Sequence, residues 1–314
     1  MTSQSVHIPI LLETIVNALT EPCVNLELKD PHYIVDCTFG GGGHTRALLN
    51  FLSQNSKISH HRVMAFDRDA EAIERGKQKF KQEISENKLT LIQSRFSQAE
   101  KFIQDVPVVG FLADLGFSSD QMDNAERGFS FRYDSPLDMR LDPSCGKTCY
   151  EYLAEASEIE IEQVLRDYGE ERFSKRIARS IEYHKRQGKL PSTTQALSKL
   201  IVQAIPPAAR HKKIHAATKS FQAFRIVVNQ ELEELDCLLE RVILSLRQGG
   251  RAAVMSFHSL EDRKVKVAFR ALSKNTASES QFRLVSKKAI KPERKEMLNN
   301  PRSRSAKLRI IEKI

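Results

Sequence analysis

The sequence predicts an α/β fold, with a doubly wound sheet and a helical domain inserted after the fourth strand. Two observations support this prediction. Four short apolar segments, each followed by a turn and a helical pattern, lie within residues 33–114, and the α/β pattern resumes at Arg251–Phe257. The segment between these parts includes an insertion of roughly one hundred residues with loop and helical patterns, which is too long for an ordinary connection.

The stretch from Tyr33 to Asp69 carries the strongest functional signal. It begins with YIVDCTFGGGGHTRALLNFL, where a short β-branched strand leads into four glycines and then a helical pattern. A second strand follows and ends at Asp67. Glycines at a strand-to-helix turn let the backbone approach a ligand and leave the helix N-terminus open to a polar group. A carboxylate at the tip of the second strand is typical of a residue that accepts hydrogen bonds from ribose hydroxyls.

The glycine turn favours a nucleoside-type cofactor. No G-x-x-x-x-G-K-[ST] motif is present, so a P-loop is excluded. The dinucleotide fingerprint fits poorly, because its third glycine would fall at Thr45. The spacing D-x-x-x-G-x-G from Asp36 to Gly42 is similar to the first motif of S-adenosylmethionine (SAM) methyltransferases.

Positive charge is concentrated in two segments. The net charge is +9, yet residues 172–225 hold 13 Lys and Arg against one acid, and residues 286–309 hold nine against two. Such segregation indicates a surface for a polyanion, although solvated helix faces remain an alternative.

Composition also limits the compartment. Five scattered cysteines are typical of a reducing cytoplasm and do not form a metal-site pattern. We expect no signal peptide and no membrane span, since no apolar run is long enough.

Several elements are predicted from periodicity alone. The first helix is expected to end before Pro22, and a charged helix is expected over Glu71–Glu86. A long helix is expected from Phe221 through Leu246, stopped by Gly249-Gly250, and Ser259 is expected to cap the next helix.

Motifs throughout the chain resemble one family. The segments DCTFGGGGHT, FLADLGFSSDQMD, RGFSFRYDSPLDMRLD, FQAFRIVVNQEL and GGRAAVMSFHSLEDRKVK resemble those of the MraW-type, also called RsmH-type, methyltransferases. These are bacterial enzymes that methylate the exocyclic N4 of one cytosine in the decoding region of 16S ribosomal RNA. The resemblance implies a Rossmann-like SAM-dependent methyltransferase domain (1–121 and 222–314), an inserted basic substrate-recognition domain (122–221), SAM as cofactor and the small ribosomal subunit as partner.

The resemblance also implies site residues. The expected SAM contacts are Gly42, Gly43, His44, Asp67, Phe96, Asp114 and Gln121. Asp114 and Ser118 are the expected catalytic residues, because an oxygen acceptor near the cofactor can hold the target amine. From the charge pattern, Lys175, Arg176, Arg179, Arg302 and Arg304 are expected to contact RNA phosphates. Cys37, Phe117, Asp120 and Ala216 depart from the family pattern, but none is assigned to the cofactor.

Four alternatives stay open at this point. Asp138 and Arg140 either pair with each other or contact substrate. His258 either holds the turn after the fifth strand or makes a catalytic or RNA contact. Phe129 and Phe131 suit a core position better than base stacking. A non-catalytic assembly factor with a SAM fold remains the main alternative function. An NAD oxidoreductase or a DNA cytosine-N4 methyltransferase fits less well, the latter because the loop after strand four lacks the [DNS]-P-P-[YFW] motif.

Overall fold

The computed structural model describes residues 9–26, 30–116, 121, 125–210, 215–274 and 281–314. The chain forms two compact units, residues 1–116 with 232–314, and residues 117–231. The sequence placed the insertion at 122–221, so the second unit is longer than that range at both ends. Within the described residues, no helix is both long and apolar enough to cross a lipid bilayer.

The first unit is built on a seven-stranded sheet of order β3-β2-β1-β4-β5-β7-β6. Its strands are β1 (Tyr33–Asp36), β2 (Arg62–Asp67), β3 (Leu89–Gln93), β4 (Val108–Asp114), β5 (Leu246–Ser256), β6 (Phe282–Leu284) and β7 (Lys307–Lys313). β1 to β5 pair in parallel, while β7 pairs antiparallel with both β5 and β6. The sequence analysis predicted β1 to β5, and the α/β doubly wound fold is confirmed.

Helices cover both faces of this sheet. They are α1 (Leu12–Asn25), α2 (Gly43–Gln54), α3 (Ala70–Lys79), α4 (Lys81–Ser85), α5 (Glu100–Ile103), α12 (Glu231–Glu240, whose first residue ends the second unit), α13 (Ser259–Leu272) and α14 (Arg294–Asn299). Successive strand residues point to opposite sides, so Ile34 joins the core under α1 and α2, whereas Val35 joins the core that includes α12 and α13. Both cores fix the carboxyl ends of β1, β2 and β4 at one edge.

The second unit is helical and has its own core. Its helices are α6 (Cys149–Glu155), α7 (Glu158–Asp167), α8 (Ser174–Arg186), α9 (Thr194–Ala204), α10 (Pro207–Arg210) and α11 (Thr218–Asn229). Ile177 and Ile181, the apolar stripe of α8, are fully buried in that core. Phe129 is buried in the same core and Phe131 packs against Phe221, with ring centroids 4.9 Å apart, as their core assignment requires.

The prediction that the first helix ends before Pro22 is wrong, because α1 continues through this residue to Asn25. Proline lacks an N–H, which leaves the carbonyl of Ala18 without its helical donor. Arg251 Nη1 donates to that oxygen at 3.3 Å and so replaces the missing bond.

Three other boundaries differ from the predictions. The expected helix over 71–86 divides into α3 and α4 at Phe80, whose ring is buried against Phe39. The expected helix from Phe221 through Leu246 breaks at Gln230, where φ is 54°. Gly249-Gly250 does not stop a helix but lies inside β5, at a register irregularity opposite β4.

Candidate cofactor site

The glycine turn after β1 forms the centre of the candidate site in the first unit. Gly40 and Gly42 have φ values of 51° and 72°, a region that glycine adopts without steric cost. Gly42 precedes the first residue of α2 and provides no capping side chain. The first N–H groups of α2 are therefore available to a polar ligand group.

Asp67, at the end of β2, holds this turn. Its Oδ2 accepts the N–H of Gly40 at 2.8 Å, and its Oδ1 accepts the N–H of Asp69 at 2.9 Å. Burial raises the pKa of Asp67, against the lowering effect of these two hydrogen bonds. The expected ribose carboxylate is thus also a structural part of the glycine turn.

Asp114 ends β4 beside the same turn. Its N–H donates to Thr38 Oγ1 at 2.7 Å, and its Oδ2 lies 3.7 Å from His44 Nδ1. Its Oδ1 is buried, and no described residue offers it a hydrogen bond. Burial, with Asp36 and Glu261 nearby, raises the pKa of Asp114 well above its usual range.

Asp36 is a site residue to which the sequence analysis assigned no role. It is buried at the end of β1 and accepts hydrogen bonds from Thr45 Oγ1 at 2.7 Å and from the Thr38 N–H at 3.1 Å. Burial raises its pKa to about 6. Asp36 is the first residue of the D-x-x-x-G-x-G motif, and this position could have identified it as a site residue from the sequence.

Phe96 lies in the loop after β3, and Glu234 of α12 supports that loop. Glu234 accepts hydrogen bonds from the Ser97 N–H and from Arg95 Nη1, both at 3.3 Å. The sequence could not reveal Glu234, because about 140 residues separate it from the loop that it holds.

His258 is placed as a helix cap. It is the N-cap residue of α13, and its Nδ1 accepts the Glu261 N–H at 3.4 Å while its Nε2 lies 3.0 Å from Glu261 Oε1. The prediction that Ser259 caps this helix is therefore wrong. Both ring nitrogens face Glu261, which supports the turn-holding alternative over a role as a free base.

Two more expected site residues and two open alternatives remain to be described. Gln121 is buried and belongs to the second unit, and Ser118 lies outside the described residues. Arg140 Nη2 lies 2.8 Å from Asp138 Oδ2. The two residues therefore pair with each other, which is one of the two alternatives that the sequence left open.

The expected RNA-binding residues are exposed on both units. In the second unit, Lys175, Arg176 and Arg179 are exposed on α8, although Arg176 Nε donates to Ala204 O and Arg179 lies 3.8 Å from Glu158. In the first unit, Arg302 and Arg304 are exposed on a 3₁₀ turn, residues 301–305.

Comparisons with known proteins decide the family. Residues 4–314 match the MraW methylase family. The chain belongs to this family. It is 43% identical to the ribosomal RNA small subunit methyltransferase H of Hydrogenovibrio crunogenus, over 100% of this chain and 98% of that protein. It is 42% identical to the protein of the same name from Azoarcus sp., with the same coverage.

A solved rRNA methylase from Streptococcus thermophilus is 13% identical, covers 98% of this chain and 99% of its own, and superposes with a TM-score of 0.40. As a MraW methylase, the chain uses SAM as its methyl donor. The residues present fit that cofactor, because the α2 N-terminus is uncapped and a buried Asp114 oxygen has no described partner. Asp67 and the turn would hold it, and the cofactor supplies an activated methyl group.

Proposed function

We propose that this enzyme methylates the exocyclic N4 of one cytosine in the decoding region of 16S ribosomal RNA, with SAM as donor. The observation that carries the proposal is the full-length identity of 42–43% to proteins named ribosomal RNA small subunit methyltransferase H. The carboxyl edge of the sheet supports it. The N-terminus of α2 has no side-chain cap there, and the nearby Asp114 Oδ1 has no hydrogen-bond partner among the described residues.

The chemistry requires positioning more than a strong base. The exocyclic amine of cytosine is a poor nucleophile, because its lone pair is delocalised into the ring. An oxygen that accepts one N4 hydrogen can orient the amine toward the methyl donor, and positioning of this kind can supply much of the rate. Asp114 is the proposed acceptor, with Ser118 as a second candidate.

The proposed substrate needs basic residues that bind phosphate. We assign this role to α8 in the second unit and, separately, to Arg302 and Arg304 in the first unit. Unstacking a base costs a few kcal/mol, and phosphate contacts can offset part of that cost. We place the substrate-recognition role in the inserted unit and the enzyme in the cytoplasm, where small ribosomal subunits are assembled.

Replacing Lys175, Arg176 and Arg179 with glutamine is expected to weaken RNA binding without affecting SAM affinity. Each lost phosphate contact should reduce the slope of log K against log salt by roughly 0.7–0.9. Fluorescence anisotropy with labelled rRNA at several salt concentrations measures this slope. Since Arg176 also bonds Ala204 O, the unfolding temperature of the variant must be measured alongside.

The matched control replaces Arg75, Lys77 and Lys88, which lie in the first unit and pair with neighbouring acids. Arg75 and Lys77 are exposed, and Lys88 is partly exposed. It removes the same three charges from another surface. An equal loss of slope in both triple variants would show a net-charge effect and would remove α8 from the proposed surface.

The modified nucleoside itself tests the reaction. Mass spectrometry of 16S rRNA from cells lacking this protein should show that N4-methylated cytidine is lost and that it returns with the wild-type gene. Complementation with the Asp67→Ala variant should not restore it. Persistence of the modification, or loss of C5-methylcytidine in its place, would refute the assignment.

A non-catalytic assembly factor is the alternative function. It predicts that the Asp67→Ala protein still supports subunit assembly and that the loss of the gene leaves the rRNA modification unchanged. Transfer of labelled methyl from SAM to 30S particles or to free rRNA then identifies the substrate form.

A further inference from the structure

The hydrogen on His44 can be located from its neighbours. His44 is buried near the start of α2, and its Nε2 lies 3.1 Å from the carbonyl oxygen of Ile10. A carbonyl oxygen only accepts, so Nε2 must carry the hydrogen. In the neutral ring Nδ1 therefore carries a lone pair, and this atom lies 3.7 Å from Asp114 Oδ2.

A lone pair facing a carboxylate is unfavourable, because both atoms are acceptors. A single proton removes the conflict, either on the carboxyl of Asp114 or on Nδ1 as an imidazolium. Which atom holds it is a property of the pair and not of one residue. The 3.7 Å approach of Nδ1 to Oδ2 is an ion-pair distance, so it favours one proton on the pair, carried by either atom.

The surroundings of Asp114 favour keeping that proton. Asp36 on β1 and Glu261 on α13 both lie near enough to raise the pKa of Asp114, and burial raises it further. His258 faces Glu261, and Asp67 faces Asp36. On α3, Lys79 Nζ donates to the Gly41 carbonyl of the turn at 2.9 Å. The acids that face Asp114 therefore oppose its ionisation until a cation arrives.

We propose that His44 and Asp114 hold one proton between them in the cofactor-free protein, that SAM binding expels it, and that the pair takes up a proton again when SAM becomes S-adenosylhomocysteine (SAH). The cofactor carries a sulfonium charge that its product lacks. A positive charge beside Asp114 favours the carboxylate, and its loss favours the protonated pair. The site thus distinguishes donor from product by charge.

Charge and atoms balance over the reaction. An amine N–H and a sulfonium S–CH₃ bond break, an N–CH₃ bond forms, and the sulfur keeps the bonding electron pair as a neutral thioether. One proton is released from the amine, and the His44–Asp114 pair has regained the capacity for one. This last step rests on the proposed function, whereas proton release on SAM binding rests on the cofactor alone.

Calorimetric titration of the full-length protein tests the proposal. SAM and SAH are each titrated at pH 7 in phosphate and in Tris, whose ionisation enthalpies differ, and the difference in observed enthalpy gives the number of protons exchanged. We expect release of up to about one proton for SAM and less than half as much for SAH. Equal release for both ligands, or none for SAM, would overturn the proposal.

Two variants identify the group. Asp114→Asn should bind SAM more weakly and without buffer dependence, while Asp105→Asn, an exposed carboxyl of the same unit, should behave as the wild type. If Asp114→Asn binds too weakly to titrate, the wild-type pH profile decides. SAM affinity should rise by up to about tenfold per pH unit while the pair is still protonated, and SAH affinity should rise much less. If the affinities for SAM and SAH changed equally with pH, the proposal that the site distinguishes them by charge would be refuted.

Nitrogen-15 NMR gives a readout that does not depend on binding. The His44 signal is assigned by its loss in His44→Gln, and it should show the hydrogen on Nε2 in the cofactor-free protein. A ring with its only hydrogen on Nδ1 would contradict the shared-proton arrangement. Because neither measurement uses RNA, failure of the proposed function would leave both results interpretable.

Discussion

Replacing Asp67 with alanine is expected to weaken SAM binding at least tenfold. The carboxylate is assigned to the ribose hydroxyls, and it also accepts the N–H groups of Gly40 and Asp69. A hydrogen bond to a charged group is worth roughly 1.5–3 kcal/mol. Loss of the two hydrogen bonds from the ribose hydroxyls should therefore lower the SAM affinity by more than a factor of ten. Calorimetry on the folded variant measures the affinity.

The control for this variant is Glu71→Ala. Glu71 is an exposed acid in the first turn of α3, four residues beyond Asp67. Its loss removes one negative charge near the site without touching the turn, so SAM affinity should stay within about twofold. Unchanged affinity in Asp67→Ala would remove Asp67 from the site.

Gly42→Ala is expected to destabilise the first unit and to impair SAM binding together. The φ of 72° costs an L-residue roughly 1–2 kcal/mol. The added Cβ would lie 2.8 Å from both the Phe39 and Phe80 rings, which are buried and cannot move freely. Overpacking of this kind costs roughly 1–3 kcal/mol more. Denaturant unfolding monitored with and without SAM measures both effects.

The neighbouring Gly41 supplies a matched control. A Cβ on Gly41 would meet no atom within 4 Å, and this glycine is not among those with positive φ. Gly41→Ala should therefore unfold at nearly the wild-type denaturant concentration. Equal destabilisation by both substitutions would mean that the turn itself, and not the Gly42 position, limits stability.

The strands of the first unit could be predicted because their signals are local. Each of β1 to β4 is a short, largely apolar run that ends at a turn or an acid. For β1, β2 and β4, burial on both faces of the sheet requires such a run. The glycine turn and Asp67 were predictable for the same reason. They follow a strand at a fixed short distance in the chain.

The errors arose where a distant residue decides the local structure. Pro22 predicts the end of a helix, but Arg251 supplies the donor for the carbonyl that Pro22 leaves unsatisfied. Gly249-Gly250 predicts a stop, but these residues lie inside β5, where Leu246 and Arg251 on either side of them pair with β4. Propensity is a weak prior in both places, because tertiary contacts outweigh it.

The sequence named candidate residues for the site but did not show their interactions. The sequence showed that Asp114 ends a strand, but not that Asp36 and Glu261 lie close enough to oppose its ionisation. For His258 the sequence left open a turn-holding role or a catalytic or RNA contact. Its two nitrogens both face Glu261, and this could only be known once α13 was placed.

The order of the strands has a consequence for synthesis on the ribosome. β4 and β5 are neighbours in the sheet, but the second unit and α12 separate them by about 130 residues. At roughly 5–20 residues per second, β4 has one edge without its partner for roughly 7–26 seconds after it is made. β4 is buried along nearly its whole length in the folded protein. Until β5 pairs with it, its unpaired edge in the nascent chain can pair with another chain and so promote aggregation. Chaperones that bind extended apolar segments should therefore associate with nascent chains that end within residues 115–245.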